Sequence, residues 1–293
     1  MEGRHLAAIR TPDPDGEKVT SVSKYLQIVD KWARHQKGVD GEDGFLSQLW
    51  YRGVNQHFSE QIPGVYRKEF TERAERLKLG ERNLEEKRLH LEREMVAQFR
   101  IAGAAFLAGN SQVEIYFTAQ HFGMPTRLLD WSTNPLAGLF FACEDTSQKD
   151  GVVYAMDARE VIPNDAKNLD GKKQPQAVMS MHHAFVEYAI KISFWTPPKP
   201  KPAFKPYVVP VRPDVVPGRL GQQSSCFTLH VHGSDPVNNK SLRTISVDKN
   251  SKGAIRGELH RLNINQFTIY YDLDHLSKEI RSSWGVTKPI VSA

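Results

Sequence analysis

Cysteine is nearly absent: two residues in 293, Cys143 and Cys226. A disulfide framework or a thiolate metal knot is thereby excluded. Both stand in apolar surroundings and are expected to be buried thiols, which suits a cytoplasmic address. Long apolar runs are also lacking. The longest, PLAGLFFAC at 135–143, is far short of the roughly 20 residues a membrane helix needs. The opening MEGRHLAAIRTPDPDG has no apolar core of the kind a signal peptide carries, so no membrane partner is expected. There is no GxGxxG, Walker loop, HExxH, CxxC pair or GxSxG elbow, which removes the standard dinucleotide, P-loop, zinc-protease, thiol-redox and hydrolase signatures. His182-His183 and His230-x-His232 lack a nearby set of Cys, Asp and Glu at ligand spacing, so no metal is expected.

What the chain does contain is an ordinary globular composition, 40% hydrophobic and 25% charged, with a net charge of +5 and a pI near 9.1. Such a balance suits an anionic ligand, a dinucleotide or nucleic acid, without requiring one. Residues 1–17, with Pro12 and Pro14, read as a disordered tail. Residues 18–284 read as one domain, with an exposed insertion at about 163–176, a Pro/Lys-rich extended crossing at 196–206, and a tail at 285–293. Helical spacing of Tyr25, Leu26, Val29 and Trp32 predicts a helix over 22–36. The stripe Leu84, Leu91, Met95, Phe99, Ala102 and Phe106 predicts a longer one over 80–107. FLSQLWYRGV, VVYAMDA (152–158), VEYAIKISF (186–194) and SCFTLHVHG (225–233) read as strands, and HLSKEIRSSW (275–284) as a closing helix. The expected class is α+β, a mixed or antiparallel sheet with flanking helices. Burial of Trp50, Val54, Phe227 and Leu229 predicts that strand 47–54 lies beside strand 225–232.

Two stretches carry chemistry. In QLWYRGV (48–54) an arginine sits among aromatic and aliphatic neighbours, and its guanidinium is expected to point into a polar cleft near residues 120–131. In FTAQHFGMPTRLLDWSTNPLAGLFFACED (117–145), Gly123 and Pro125 make a turn that delivers Arg127 and Asp130 together. Asn134 and Pro135 then start a buried helix as N-cap and first residue. Arg127 and Asp130 are either a buried ion pair bracing the turn or two walls of a ligand site. Arg127 is expected to be the structural member and Asp130 the functional one.

These stretches resemble a known family. YRGV (51–54), AQHFGMPTRLLDWSTNPLAGLFFA (119–142), RLGQQSSCFTLH (219–230) and FTIYYDLDHLSKEI (267–280) are similar to the motifs of the FRG domain, named for an aromatic-Arg-Gly signature. The resemblance runs over roughly residues 20–283, with Ser132 where threonine is usual and Tyr271 where proline is common. It implies a fold and no defined activity.

A second similarity is to mono-ADP-ribosyltransferases of the Arg-Ser-Glu type, whose first-strand arginine grips the pyrophosphate of NAD. It implies catalytic roles for Arg52, Asp130, Ser132 and Gln222, with Thr133 an alternative to Ser132 and Glu187 an alternative carboxylate. It implies an NAD site from Tyr51, Arg52, Gly53, Gln120, His121, Arg127, Trp131 and Phe227, Gly53 admitting close approach of the dinucleotide. Gln222 and Gln223 stand where a glutamate is needed, and glutamine cannot balance a developing cation by charge. Three classes stay open: an NAD-using transferase or glycohydrolase-like effector of toxin or defence type, with a nucleic-acid or protein acceptor; a nucleic-acid-directed effector without NAD chemistry; and a non-catalytic ligand-binding module.

Overall fold

A computed structural model of the chain describes residues 18–34, 49–57, 61–145, 148–158, 161, 178–183, 186–187, 189–190, 207–213, 224–231 and 242–286. Residues 1–17, residues 287–293 of the C-terminal tail, the 163–176 insertion, the 196–206 crossing and Gln222 lie outside the described residues.

The architecture is α+β around one mixed seven-stranded sheet. Its strands are β1 (Leu49–Val54), β2 (Leu128–Ser132), β3 (Gly151–Asp157), β4 (Met179–Ser180), β5 (Tyr207–Arg212), β6 (Ser225–Val231) and β7 (Leu242–Val247), in the order β4-β5-β6-β2-β1-β3-β7. Only β4 and β5 pair in parallel; the other neighbours are antiparallel. The helices are α1 (Val22–Arg34), α2 (Lys68–Glu75), α3 (Leu84–Ala102), α4 (Gln112–His121), α5 (Pro135–Ala142), α6 (Lys252–Arg261), α7 (Gln266–Tyr270) and α8 (Leu273–Ser283), with a 3₁₀ turn at Gly64–Tyr66. No helix among the described residues is long and apolar enough to cross a membrane.

Strand alternation divides the core in two. On one face Tyr51, Val153, Ala155, Ile245 and Val247 pack against α1, α5 and α6. Further along that face Leu128, Phe227, Leu229, Val209 and Val211 pack against α3, α4 and the helical residues Val186, Ala189 and Ile190. The opposite face carries Trp50, Leu129, Trp131, Val152, Tyr154, Met156 and Cys226. Both cysteines are free and buried, and burial pushes the Cys143 thiol up to about 12.

Three expectations change. First, β2 lies between β1 and β6. β2 carries apolar residues on both faces, Leu128 on one and Leu129 and Trp131 on the other, and so fills the position between the two strands expected to be neighbours. Second, Val186, Glu187, Ala189 and Ile190 are helical rather than extended, because they close over the α3–α4 core instead of joining a ladder. Third, α3 stops at Gly103, and Phe106 is 91% exposed. Its innermost residues are Glu92 and Val96, since Leu91 and Met95 turn toward Val65, Tyr66 and Phe70 on the 3₁₀ turn and α2. The start of α5 follows its local signal: Asn134 Oδ1 accepts from the Leu136 N–H at 2.9 Å, with Pro135 in the first turn.

Candidate functional site

β1 and β3 pair at six register positions, whereas β1 and β2 meet at one, Tyr51 opposite Ser132. Beyond that pair the ladder opens, and Arg52 reaches across the opening. Its Nη1 donates to the Asp130 carbonyl at 2.9 Å and its Nε to Gln61 Oε1 at 3.2 Å. A guanidinium has five N–H donors, so three remain uncommitted among the described residues. No carboxylate oxygen lies within salt-bridge distance of Arg52 among the described residues.

Gln61 is brought there by the 3₁₀ turn, whose Val65 N–H bonds the Thr126 carbonyl at 3.5 Å just before β2. From the other side, Gln120 on α4 donates through Nε2 to Asp130 Oδ2 at 2.8 Å and accepts from the Thr126 hydroxyl. Thr126, Gln120, Asp130, Arg52 and Gln61 thus form a continuous polar chain across the opening. Asp130 remains exposed at its rim. Burial lowers the Arg52 pKa below the ordinary arginine value; Asp130 opposes this and Arg67 adds to it. The protein packed around Asp130 raises its carboxyl above the ordinary value, while Arg52, the Gln120 hydrogen bond and Arg67 pull it down. Both arginines thus act on Asp130 through their charge, without a direct ion pair to its carboxylate among the described residues.

Arg127 belongs elsewhere. It is 1% exposed, and its Nε bonds Glu92 Oε2 at 3.0 Å. Its backbone N–H bonds Glu92 Oε1 at 2.9 Å and the Tyr116 hydroxyl at 3.0 Å, and both terminal nitrogens reach the Ala189 carbonyl. Tyr116 also donates to Glu92. Burial lowers the Arg127 pKa, but Glu92 and Tyr116 outweigh it and the net shift is upward. The ion pair that braces the turn is Arg127 with Glu92, not Arg127 with Asp130.

Several other expected ligand residues are packed into the core. Tyr51 is 4% exposed under α5, and burial pushes its hydroxyl up to about 12. Phe227 stacks edge-on against Phe117 at 5.0 Å. The Trp131 indole donates to Thr228 Oγ1 at 3.1 Å. Ser132 Oγ accepts from the Asn134 N–H at 3.0 Å, inside the α5 cap, and Thr133 Oγ1 donates to the Ser224 carbonyl. His121 ends α4 against Phe122, ring centroids 5.4 Å apart. Glu187 faces His182 at 3.9 Å. A Cβ at Gly53 would stand 1.8 Å from the Gly138 carbonyl oxygen, so this glycine admits helix α5 rather than a dinucleotide. Among the described residues, no three His, Cys, Asp or Glu side chains gather as a metal site.

Gln61, Arg67 and Glu92 join these networks without a local sequence signal for it. Glu92 lay within a charged helix pattern whose periodicity gave no hint of burial. Gln61 and Arg67 flank a Pro63-Gly64 turn, the only local sign that the chain bends back there.

Residues 47–151 match the FRG domain, a span holding β1, the 3₁₀ turn and all of the polar chain described above. No curated protein and no solved structure gives a significant match.

Proposed function

We propose that the FRG domain of this chain binds the pyrophosphate of a dinucleotide at Arg52, with NAD as the substrate and Asp130 as the working carboxylate of an ADP-ribosyl transfer or hydrolysis. The observation that carries the reading is Arg52 itself: a half-buried guanidinium on a central strand that has, among the described residues, three unspent donors and no carboxylate partner. Charge-assisted bidentate contact with phosphate is what such a group is suited to. The positive charge of Arg67 lowers the pKa of both Arg52 and Asp130, and would supply a second positive group for a second phosphate.

The charge distribution favours NAD among anionic ligands. NAD combines an anionic pyrophosphate with a cationic nicotinamide ribosyl, matching two arginines beside one aspartate. When bound, it supplies a glycosidic C–N bond whose electron pair leaves with nicotinamide. Asp130 would face the positive charge that develops on the ribose, and Gln120 holds that carboxylate in place through its amide. The Ser132 hydroxyl, given a role by analogy, accepts a hydrogen bond in the α5 cap.

Titration of the full chain with NAD by calorimetry, with mass spectrometry for released nicotinamide, tests the reading. Arg52→Ala should weaken binding by about 10- to 100-fold, as loss of a charge-assisted contact does, with little change in the melting midpoint. Asp130→Asn should retain binding while nicotinamide release falls. Because Asp130 must be ionised, release should decline as pH falls through a pKa above the ordinary aspartate value. Absence of NAD binding by the wild-type chain, or release unaffected by Asp130→Asn, would overturn the assignment.

A further inference from the structure

Beside Arg52 stands a neutral side chain where a carboxylate would suit the fold better. The guanidinium offers only donors, so the Gln61 carboxamide must turn its oxygen toward Arg52 Nε, as it does at 3.2 Å. That orientation sends the amide nitrogen the other way. Gln61 is 3% exposed, and its Nε2 is buried without a hydrogen-bond partner among the described residues. A buried donor left unpaired costs free energy in the folded state. Glutamate at this position would accept the same bond through a charged oxygen and would strand no donor. The carboxamide is therefore the less stable of two nearly isosteric choices, and the difference between them is one negative charge next to Arg52.

We infer that Gln61 is a positioning residue that aims Arg52 without neutralising it, reserving the guanidinium charge for an anionic ligand. This rests on the anion-binding reading above and sharpens it. With glutamine the opening holds Arg52 and Arg67 against Asp130, a net positive site. With glutamate the charges cancel. The ligand class is therefore a polyanion of the pyrophosphate kind; a neutral nucleoside would gain nothing from the arrangement.

The test uses inorganic pyrophosphate and NAD as probes on the full chain, comparing wild type with Gln61→Glu and Gln61→Met. Gln61→Glu should raise the melting midpoint, because Arg52 gains a charged partner and the stranded donor disappears. The same variant should weaken pyrophosphate binding by about 30-fold or more, the scale on which a buried charge beside a binding arginine acts. Gln61→Met removes the donor without adding charge, and its loss should stay under about 10-fold. That split between glutamate and methionine is what a merely structural residue would not produce. Equal losses in the two variants, or full affinity in Gln61→Glu, would overturn the role of Gln61 while leaving the anion site standing. Failure of the wild-type chain to bind either probe would overturn both.

Discussion

Glu92→Ala should cost the protein about 3–5 kcal/mol, the range found when one partner of a buried ion pair is removed. Total stability of a domain is about 5–15 kcal/mol, so this change alone brings the fold near its limit. Both side chains are 1% exposed. Removing the carboxylate leaves the Arg127 guanidinium buried with only the Ala189 carbonyl as acceptor among the bonds described above. It also takes an acceptor from the Arg127 backbone N–H and from the Tyr116 hydroxyl. Three groups lose a partner at once, two at the entry to β2 and one on α4. Urea denaturation of the variant measures the effect. Replacing both members, Glu92→Met with Arg127→Met, should recover part of the loss, because two apolar side chains strand no charge. A cost below about 1 kcal/mol, as for an exposed pair, would show that the network does not hold α3 to the sheet. Asp130→Ala supplies the contrast. Water reaches Asp130, so its removal should cost nearer 1 kcal/mol and register in ligand affinity instead.

Gly53→Ala is expected to cost about 3 kcal/mol or more, the upper part of the range for overpacking a tight interior. An added methyl would meet the Gly138 carbonyl oxygen at 1.8 Å, the Ala142 nitrogen at 2.7 Å and the Gly138 carbonyl carbon at 2.9 Å. All three are backbone atoms of α5 or its end, so no rotamer change can make room. Either the helix moves off β1 or β1 moves off the helix. The closeness is mutual: a methyl at Gly138 would stand 3.0 Å from Tyr51 Cβ, and one at Gly151 would stand 2.1 Å from the Ala142 carbonyl oxygen. Gly→Ala at a compatible site usually stabilises by about 0.4–1 kcal/mol, so the sign of the change is itself informative. Thermal unfolding checks it, and pyrophosphate binding should fall as well, because Arg52 shifts with its strand. A Gly53→Ala protein as stable as wild type would mean that α5 and β1 are not in backbone contact.

The signature tripeptide is thus split among three tasks by strand alternation. Tyr51 and Gly53 face α5, one filling the core and the other leaving room for the helix. Arg52 faces away and spans the opening beside β2. Sequence spacing assigns the alternation but not which side holds a helix and which holds a ligand. Read alone, the tripeptide looks like one binding element.

Features that depend on near neighbours were legible in the chain itself. The α1 helix, the Asn134-Pro135 start of α5, the strands at 49–54, 151–157 and 225–231, and the position of a charge at Arg52 on a strand all follow from periodicity and capping within a few residues. Non-local choices were not legible. Arg127 had a carboxylate three residues away in Asp130, yet it pairs with Glu92, 35 positions upstream, because α3 packs its Glu92 face toward the turn while Gln120 and the rim hold Asp130. Strand order placed β2 between β1 and β6, and the opening in the β1–β2 ladder exists only in that order. The helical state of Val186, Glu187, Ala189 and Ile190 and the arrival of Gln61 at Arg52 have the same origin. Local propensity depends on the backbone and its immediate side chains, which the sequence states directly. The partner of a buried charge depends on which element lies over it, and only the packed tertiary structure decides that.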